Sequence, residues 1–406
     1  MKCEKKEGGI CAPKGFRAAG IHAGIRGNSS KNDLMMIVSD CMCSAAGVYT
    51  TNKVYGAPIT VTREHVADGK ALAVICNSGN ANTCAPDGVK IARDTCAIVA
   101  ENIGCDQNDV IVASTGVIGE EMSIAPFEKG VPELVKNLSY DGSDEAAKGI
   151  MTTDTIKKEY AVSFEIGGRE CTIGAIAKGS GMIHPNMATM LAFITTDAAI
   201  SPEMIKKALV NDVKDSFNQL SVDGDTSTND MAMIIANGMA GNNLIEDEND
   251  DFRAFCDALH EVTAYITKNL AADGEGASKL IICNVKGAPS KDAARKVSKS
   301  VVSSSLLKAA VFGADANWGR ILCAIGYTDA EFSAENADVD MSSENGRIPV
   351  CRGSAYAAHS EEEAAEILRS DEIVIDIDLN DGEEESTAWG CDLTYDYVRI
   401  NGDYRS

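Results

Sequence analysis

The sequence predicts a mixed α/β fold, and three observations support this class. Short apolar runs of strand length alternate with segments whose apolar residues recur at helical spacing. Two runs of alternating hydrophobicity flank a Gly-Gly pair, as in a β-hairpin. No low-complexity linker or fixed-period repeat interrupts the pattern. Because strands and helices are interleaved along the chain, we expect helices packed in layers against sheets.

The first half of the chain supplies two predicted strands, a helix between them and the hairpin. Residues 71–76 and 110–113 are apolar runs too short for a helix, and residues 87–103 between them have an apolar face. The hairpin strands are residues 162–166 and 171–177, which are joined through the Gly-Gly turn.

The middle of the chain supplies a further strand and two long helices. Residues 190–195 form a strand-like run, and Ser201 with Pro202 then opens a helix whose apolar face continues to Phe217. A second long helix covers residues 252–266.

The last third begins with a strand-like run at residues 280–285 and contains an alternating run at 373–379. Residues 381–385 are mostly acidic and are expected to form a solvated turn. We therefore predict a catalytic α/β core over residues 1–280 and a C-terminal α/β lobe over residues 281–406.

Composition and charge limit the classes of partner. Hydrophobic residues make up 45% of the 406 residues and the formal net charge is −24, with a pI near 4.6. Nucleic acids and anionic membranes are disfavoured, because binding to them needs clustered Lys and Arg. The chain start has no apolar segment typical of a signal peptide, and no run of 18 apolar residues occurs. We expect a cytoplasmic protein without nucleic-acid or membrane partners.

The cysteine pattern argues against disulfides and zinc. Fourteen cysteines are scattered singly, mostly in apolar segments, as expected for reduced core thiols. The closest pair, Cys41 and Cys43, has CxC spacing rather than CxxC, and five histidines are available to complete a site. No metal site is predicted.

The densest concentration of small and hydroxyl-bearing residues lies at 178–197, and it has two interpretations. The segment can be an irregular hairpin connection in which Thr189 is an ordinary strand residue. Alternatively, the Thr189 hydroxyl attacks the Ala188 carbonyl, and water then cleaves the resulting ester. The new amino-terminal threonine would carry both a nucleophile and a base, because a free α-amine has a pKa near 7.7–8.0.

The chain resembles the ornithine acetyltransferases, also called glutamate N-acetyltransferases, of arginine biosynthesis. The resemblance covers the whole chain and includes the segment 178–189. The other matching segments are APKGFRAAG at 12–20, TTNK at 50–53, NSGNAN at 77–82, STGVIG at 114–119, MTTDT at 151–155, DGDTSTND at 223–230, GADANWGR at 313–320 and NGDYRS at 401–406.

This resemblance implies self-cleavage between Ala188 and Thr189, giving an α chain of residues 1–188 and a β chain of residues 189–406. Thr189 is then the nucleophile, and Thr115 with Gly116 forms the oxyanion hole. The residues alone, without the resemblance, favour a capping threonine and a plain turn glycine at these positions. The family also implies a layered α/β sandwich with a smaller C-terminal lobe, assembled as a heterotetramer of two α and two β chains.

The resemblance places substrate contacts on six residues. A lysine can meet a substrate carboxylate and a glutamate can meet an ammonium, so the set suits an amino acid carrying both charges. The contacts fall on Thr152, Lys178, Thr189, Glu275, Asn401 and Ser406. His184 precedes the nucleophile closely, but the family does not depend on a histidine there, which favours a structural role.

The implied reaction moves acetyl from N-acetylornithine to glutamate through an acetyl-threonine ester, with no metal or organic cofactor. Some family members also accept acetyl-CoA, and the absence of a basic, phosphate-cradling loop favours the form that does not. A self-processing aminopeptidase or amidase is an alternative enzyme, and an uncleaved amino-acid-binding module is the non-enzymatic alternative.

Overall fold

The computed structural model describes residues 3–27, 30–184 and 190–403, and the chain divides into two compact units. The first unit takes the described residues of 1–179, 186–214 and 226–266. The second takes those of 180–185, 215–225 and 267–406. The sequence signals predicted one boundary, at residue 280, and no signal marked the two short segments that join the second unit.

Sixteen strands lie in the described part of the chain. They are β1 Glu4–Lys6, β2 Phe16–Ile21, β3 Leu34–Tyr49, β4 Lys70–Asn80, β5 Val110–Val117, β6 Lys158–Ile166, β7 Arg169–Lys178, β8 Leu191–Thr196, β9 Leu220–Ser221, β10 Met231–Ala236, β11 Leu280–Ala288, β12 Asp338–Ser343, β13 Gly346–Arg352, β14 Ala355–Tyr356, β15 Glu372–Asp378 and β16 Glu384–Cys391.

Eleven α-helices lie in the same part of the chain. They are α1 Ala57–His65, α2 Gly88–Ile103, α3 Ala125–Asn137, α4 Ser143–Ile150, α5 Pro202–Asp212, α6 Asp250–Ala272, α7 Lys291–Ser303, α8 Ser305–Phe312, α9 Trp318–Gly326, α10 Glu361–Ile367 and α11 Tyr395–Gly402.

The first unit contains a nine-stranded sheet in which the long strand β3 has two sets of neighbours. The main path of the sheet is β1-β6-β7-β8-β10-β3-β4-β5. Residues 34–39 of β3 pair with β2, whereas residues 44–49 pair with β10. The pairing of β3 with β4 shifts register between Val38 and Cys43. Such an irregularity bends a strand, so one strand can belong to two parts of a curved sheet.

Two apolar clusters form the core of the first unit. One joins strand residues such as Ile176, Phe193 and Met231 to the buried face of α4. The other joins β4 and β5 to α2 and α3, through residues such as Val99 and Leu134. Because both faces of these strands are covered, their sequences are continuous apolar runs rather than alternating ones.

The second unit has its own seven-stranded sheet, in the order β14-β13-β12-β15-β11-β16-β9. Its core packs β11 and β15 against α7, α8 and α9. Ser290 and Ser304 cap α7 and α8 by accepting bonds from Ala293 and Leu307 backbone N–H groups. The mixed α/β class with layered sheets and helices, predicted from the sequence, is confirmed.

Most predicted elements are present, with changed ends. The Gly-Gly hairpin joins β6 to β7, and both glycines have positive φ. Ser201 caps α5, but that helix ends at Asp212, and Phe217 lies in a separate 3₁₀ turn. The acidic segment 381–385 is exposed as expected, yet its last two residues begin β16, so the prediction of a simple turn was wrong there.

All fourteen cysteines lie among the described residues, and each is a free thiol there. Within residues 3–27, 30–184 and 190–403, no helix has both the length and the apolar character that a membrane span requires.

Candidate active site

In the first unit, Lys178 meets Thr115. Lys178 ends β7, and its Nζ lies 3.4 Å from Oγ1 of Thr115 in β5. Four strands, β8, β10, β3 and β4, separate β7 from β5 along the sheet path. Curvature of the sheet therefore brings its distant strands together, and the sequence offers no local signal for this approach.

Lys178 belongs to a buried charge cluster centred on Asp154. The carboxylate of Asp154 accepts bonds from Lys158 Nζ at 2.7 Å, from the Gly179 backbone N–H at 2.8 Å and from the Thr152 backbone N–H at 2.9 Å. Burial alone would raise the pKa of Asp154, but the positive charges of Lys178 and Lys158 lower it to about 2. Asp154 therefore stays ionised and helps to hold Lys178 in place.

Gly116 stands where no other residue fits. Its φ is +135°, and a Cβ built on it would lie 2.2 Å from the carbonyl carbon of Gly79 in β4. The pairing of β4 with β5 also becomes irregular from Gly79 to Asn80. The backbones approach this closely only without a side chain, so this glycine has a stricter role than an ordinary turn glycine.

A buried network of asparagine and hydroxyl side chains supports the strand end that carries Thr115. Asn229 Nδ2 donates to the carbonyl oxygens of Ala81 and Ser114, at 2.6 and 3.0 Å. Its Oδ1 accepts from Thr83 Oγ1 at 2.6 Å, and Ser114 Oγ donates to Asn77 Oδ1 at 2.6 Å. We predicted no role for these residues, although NSGNAN and DGDTSTND were among the recognised segments.

In the second unit, Glu275 and Asn401 are hydrogen-bonded. Asn401 Nδ2 donates to Glu275 Oε2 at 2.8 Å, and Glu275 is 8% exposed. The glutamate follows α6 in a glycine-rich turn, and Asn401 lies on α11. Two of the three substrate-contact residues predicted in this unit are therefore neighbours.

The glycine-rich turn is fitted closely to the start of α11. Gly276 has a φ of +66°, and a Cβ there would lie 2.5 Å from the backbone nitrogen of Tyr397. Thr394, the N-cap of α11, donates its Oγ1 hydrogen to the Gly276 carbonyl at 2.6 Å and accepts from the Tyr397 N–H. This contact fixes the helix against the turn.

Asp223 holds the segment that approaches the predicted cleavage point. Its carboxylate accepts from the backbone N–H groups of Met182 and Ile183, at 2.5 and 2.8 Å. The Ile183 carbonyl in turn accepts from the Val222 N–H at 2.7 Å. Tyr397 donates its hydroxyl hydrogen to Asp223 at 3.3 Å. Burial, and then the charge of Asp223, raise the pKa of Tyr397, so the hydroxyl keeps this hydrogen.

His184 is half-buried and contacts Ser221, with 3.0 Å between its Nδ1 and the serine Oγ. Burial, and then the nearby Lys299 charge, lower the pKa of His184 to about 4. The ring is therefore neutral at physiological pH. These contacts tie His184 to the second unit's own side chains.

Three predicted site residues, Ala188, Thr189 and Ser406, lie outside the described residues. Of the others, the first unit brings together Thr115 and Lys178, with Thr152 joined to them through Asp154. The second unit brings together Glu275 and Asn401. Asp154, Asn229 and Asp223 are the supporting residues that our reasoning from the sequence missed.

The arrangement suits the binding of charged and polar groups. A lysine beside a threonine hydroxyl can bind a carboxylate or a developing oxyanion, and a buried glutamate can bind an ammonium. Among the residues that the structure describes, no group of three or more His, Cys, Asp or Glu side chains could hold a metal ion.

Comparison with known proteins extends over nearly the whole chain. The family model described as ArgJ family matches residues 17–406. The arginine biosynthesis bifunctional protein ArgJ 1 of Clostridium acetobutylicum is 48% identical over 392 residues, covering 96% of each chain. Its counterpart from Symbiobacterium thermophilum is 49% identical over 401 residues, covering 98% of this chain and 99% of that protein.

A solved structure is also similar. The crystal structure of the arginine biosynthesis bifunctional protein of Bacillus halodurans matches with a TM-score of 0.50 and 44% identity. The match covers 52% of this chain and 98% of the solved chain.

Proposed function

Because the chain belongs to the ArgJ family of arginine-biosynthesis acetyltransferases, we propose that it transfers acetyl from N2-acetyl-L-ornithine to L-glutamate. The products are L-ornithine and N-acetyl-L-glutamate. The contact between Lys178 and Thr115 carries this proposal, since it sets a cation and a hydroxyl at the residue next to Gly116, where an added Cβ would clash with the Gly79 backbone.

The proposed chemistry is a two-step exchange on Thr189. Its hydroxyl attacks the acetyl carbonyl of acetylornithine while its own α-amine takes the hydroxyl proton. The Thr115 hydroxyl and the Gly116 N–H stabilise the tetrahedral oxyanion. The C–N bond then breaks, and ornithine leaves with the proton. Glutamate attacks the acetyl-threonine ester through its amine and departs as N-acetylglutamate, which regenerates the threonine.

Both substrates are amino acids that carry opposite charges, and the charged residues implied by the family resemblance suit them. We assign Lys178 to a substrate carboxylate, with Thr152 contributing a further polar contact. Glu275 and Asn401 are assigned to a substrate ammonium, and Ser406 to a terminal contact. Glu275 is buried and accepts a bond from Asn401, so its charge is held in one position.

Self-cleavage between Ala188 and Thr189 is part of the proposal, because the mechanism needs a free threonine amine. The Thr189 hydroxyl adds to the Ala188 carbonyl, the peptide becomes an ester, and water releases the two chains. The coverage of the Bacillus halodurans structure supports this, since about half of this chain accounts for nearly all of that solved chain. Residues 189–406 are slightly more than half of the sequence.

Intact-mass analysis of the purified protein beside Thr189→Ala tests the proposal. We expect two chains from the parent, the second beginning with Thr189, whose masses add up to the precursor plus one water. Thr189→Ala should remain a single chain. Uncleaved parent protein would remove the amino-terminal nucleophile and favour the binding-module alternative.

Assays of the mature protein separate transfer from hydrolysis. Acetylornithine plus glutamate should yield N-acetylglutamate and ornithine in equal amounts. Release of free acetate without need for glutamate would instead favour an amidase.

A second function is favoured by one specific observation. Both relatives are named bifunctional proteins, which weighs against a chain limited to acetyl recycling. We assign acetyl-CoA as a second acetyl donor that forms the same acetyl-threonine ester. Assay with acetyl-CoA and glutamate, in the absence of acetylornithine, tests this; a mature enzyme that is active only with acetylornithine would refute it.

A further inference from the structure

A polar cavity lies in the first unit, between the end of α1, the strand β3 and the start of α5. Its volume is about 540 Å³. Tyr49, Arg63 and Lys206 line it, together with the carboxylates of Asp68 and Glu203. None of these residues has a role in the acetylornithine reaction as proposed above.

Arg63 is held in place by two aromatic rings. Its guanidinium carbon lies 4.8 Å from the ring centre of Tyr49 and 5.4 Å from that of Tyr55. Within the described residues, Arg63 has no hydrogen-bond acceptor and no carboxylate partner. Stacking fixes the plane of a guanidinium while leaving its N–H groups available, so the side chain is ordered before any ligand binds.

Lys206, which is exposed, also has no hydrogen-bond or ion-pair partner in the part of the chain that the structure describes. Its neighbour Lys207 pairs with Glu248, and Arg93 pairs with Glu64 at 2.5 Å. Asp68 accepts a bond from the Lys70 N–H, and Glu203 makes no ion pair with either cation. The cavity is thus lined by two cations and two carboxylates, and within the described residues neither cation forms an ion pair with either carboxylate.

The strand register relates this cavity to the site of Lys178. Lys178 pairs with Leu191, Leu191 with Met231, and Met231 with Tyr49. These four residues form one row across β7, β8, β10 and β3. At the usual strand spacing, Tyr49 is about 14 Å from Lys178 along this row.

We propose that this cavity binds the phosphate groups of acetyl-CoA. The inference rests on the second function proposed above. A guanidinium matches two phosphate oxygens at once, and an ammonium adds a further charge-assisted bond. Because Leu191 and Met231 of this row are buried, we assign the pantetheine arm a course outside the row, from phosphates here to an acetyl group near Lys178. Dispersed residues of this kind leave no Gly-rich motif in the sequence, which explains why none was found.

The test compares Arg63→Gln and Lys206→Gln with two matched controls, Arg93→Gln and Lys207→Gln, in the full cleaved protein. We expect Arg63→Gln to raise the KM for acetyl-CoA by about tenfold or more, and Lys206→Gln by a smaller factor. The KM for acetylornithine should change by less than about twofold, since that donor carries no phosphate. Both controls should match the parent with either donor.

Calorimetry that measures the binding of CoA and of inorganic pyrophosphate tests the site independently of the enzyme assay. Arg63→Gln should weaken binding of both ligands, and dephospho-CoA and pantetheine should show which phosphates contribute. Equal binding by Arg63→Gln and Arg93→Gln, or equal KM values for acetyl-CoA, would overturn the proposal.

The two proposals fail in different ways. A parent enzyme without acetyl-CoA activity would refute the second function and with it the assignment to acetyl-CoA. If pyrophosphate binding were then still lost in Arg63→Gln, the cavity would be an anion site for a different phosphorylated compound. Full acetyl-CoA activity that is insensitive to Arg63 and Lys206 would leave the function intact and place the phosphates elsewhere.

Discussion

At the scale of single residues, Asp154 makes stability depend on pH. Its pKa is about 2, below its ordinary value near 4, so its ionised form stabilises the folded state. That contribution is fully present above pH 4 and is lost as the pH falls through 2. We expect urea unfolding to show a loss of about 2–3 kcal/mol over this interval that Asp154→Asn lacks.

Asp154→Asn should also cost about 3 kcal/mol at neutral pH, because it leaves the fully buried Lys158 without its carboxylate. Asp144→Asn is the control. The pKa of Asp144 is likewise lowered to about 2, but its side chain is 42% exposed and its bonds are to surface lysines. Its loss should change stability by less than about 1 kcal/mol. Equal effects of the two substitutions would contradict the role given to burial.

The second prediction for a single residue concerns Gly116. Gly116→Ala should abolish most of the acetyl-transfer activity. The added Cβ would overlap the Gly79 backbone, at 2.2 Å, and the strand end carrying Thr115 would have to move. We expect kcat for acetyl transfer to fall by about 100-fold or more, as for loss of an oxyanion donor. Gly119→Ala is matched, since Gly119 also has positive φ but its Cβ would meet nothing within 4 Å. Near-parental activity of Gly116→Ala would refute the assignment.

The sequence identifies candidate residues by their chemical type, but it does not reveal the contacts that only the folded chain makes. Lys178 and Thr115 were recognised from family segments, and the structure places them together. Asp154 lies in the recognised segment MTTDT, yet its role follows from two lysines that only the folded chain brings to it. Asn229 is similar, because its partners lie on strands distant in sequence.

At the scale of elements, the placement of the segment 180–184 should affect the rate of self-cleavage. Asp223 binds its two consecutive N–H groups, at Met182 and Ile183, shortly before the proposed cleavage point. Asp223→Asn would turn an amide NH₂ towards one of these donors. Because one N–H group would lose its acceptor, we expect self-cleavage of the purified precursor to slow by about tenfold. The rate is measured on denaturing gels as a function of time.

Asp225→Asn is the control for charge, because Asp225 is exposed and its backbone, not its carboxylate, contacts Asp223. It should cleave at the parental rate. The melting temperature of Asp223→Asn and its activity per cleaved chain should stay near parental values. A loss of activity in proportion to a loss of folded protein would point to general destabilisation instead.

Local sequence signals predicted individual helices and strands well, but they did not predict how the strands pair or how the helices pack. The hairpin of β6 and β7 follows from two adjacent glycines, and α5 from its serine cap and proline. The bend in β3 could not be predicted, because its two halves pair with β2 and β10, which are far apart in sequence. The packing of the start of α11 against the glycine-rich turn likewise depends on contacts between residues distant in sequence.

At the scale of the whole molecule, the proposed cut divides one sheet between two chains. Residues 1–188 supply β7 and β3, whereas residues 189–406 supply β8 and β10, which lie between them. We expect the cleaved chains to elute together in size exclusion and to separate only in denaturant. Native mass spectrometry would also test the predicted assembly of two α and two β chains. Release of either chain under native conditions would contradict this arrangement of strands.

The shared sheet also has a genetic consequence. Because β8 and β10 cannot separate from β7 and β3 unless the sheet unfolds, mature molecules should not exchange their α or β chains. Consider two inactive alleles, one carrying Lys178→Ala in the α chain and the other Glu275→Ala in the β chain. Each mature protein would keep its own substitution, because the chains do not exchange. Mixing the two purified proteins should restore no activity, whereas denaturing and refolding them together should restore some if the chains can refold.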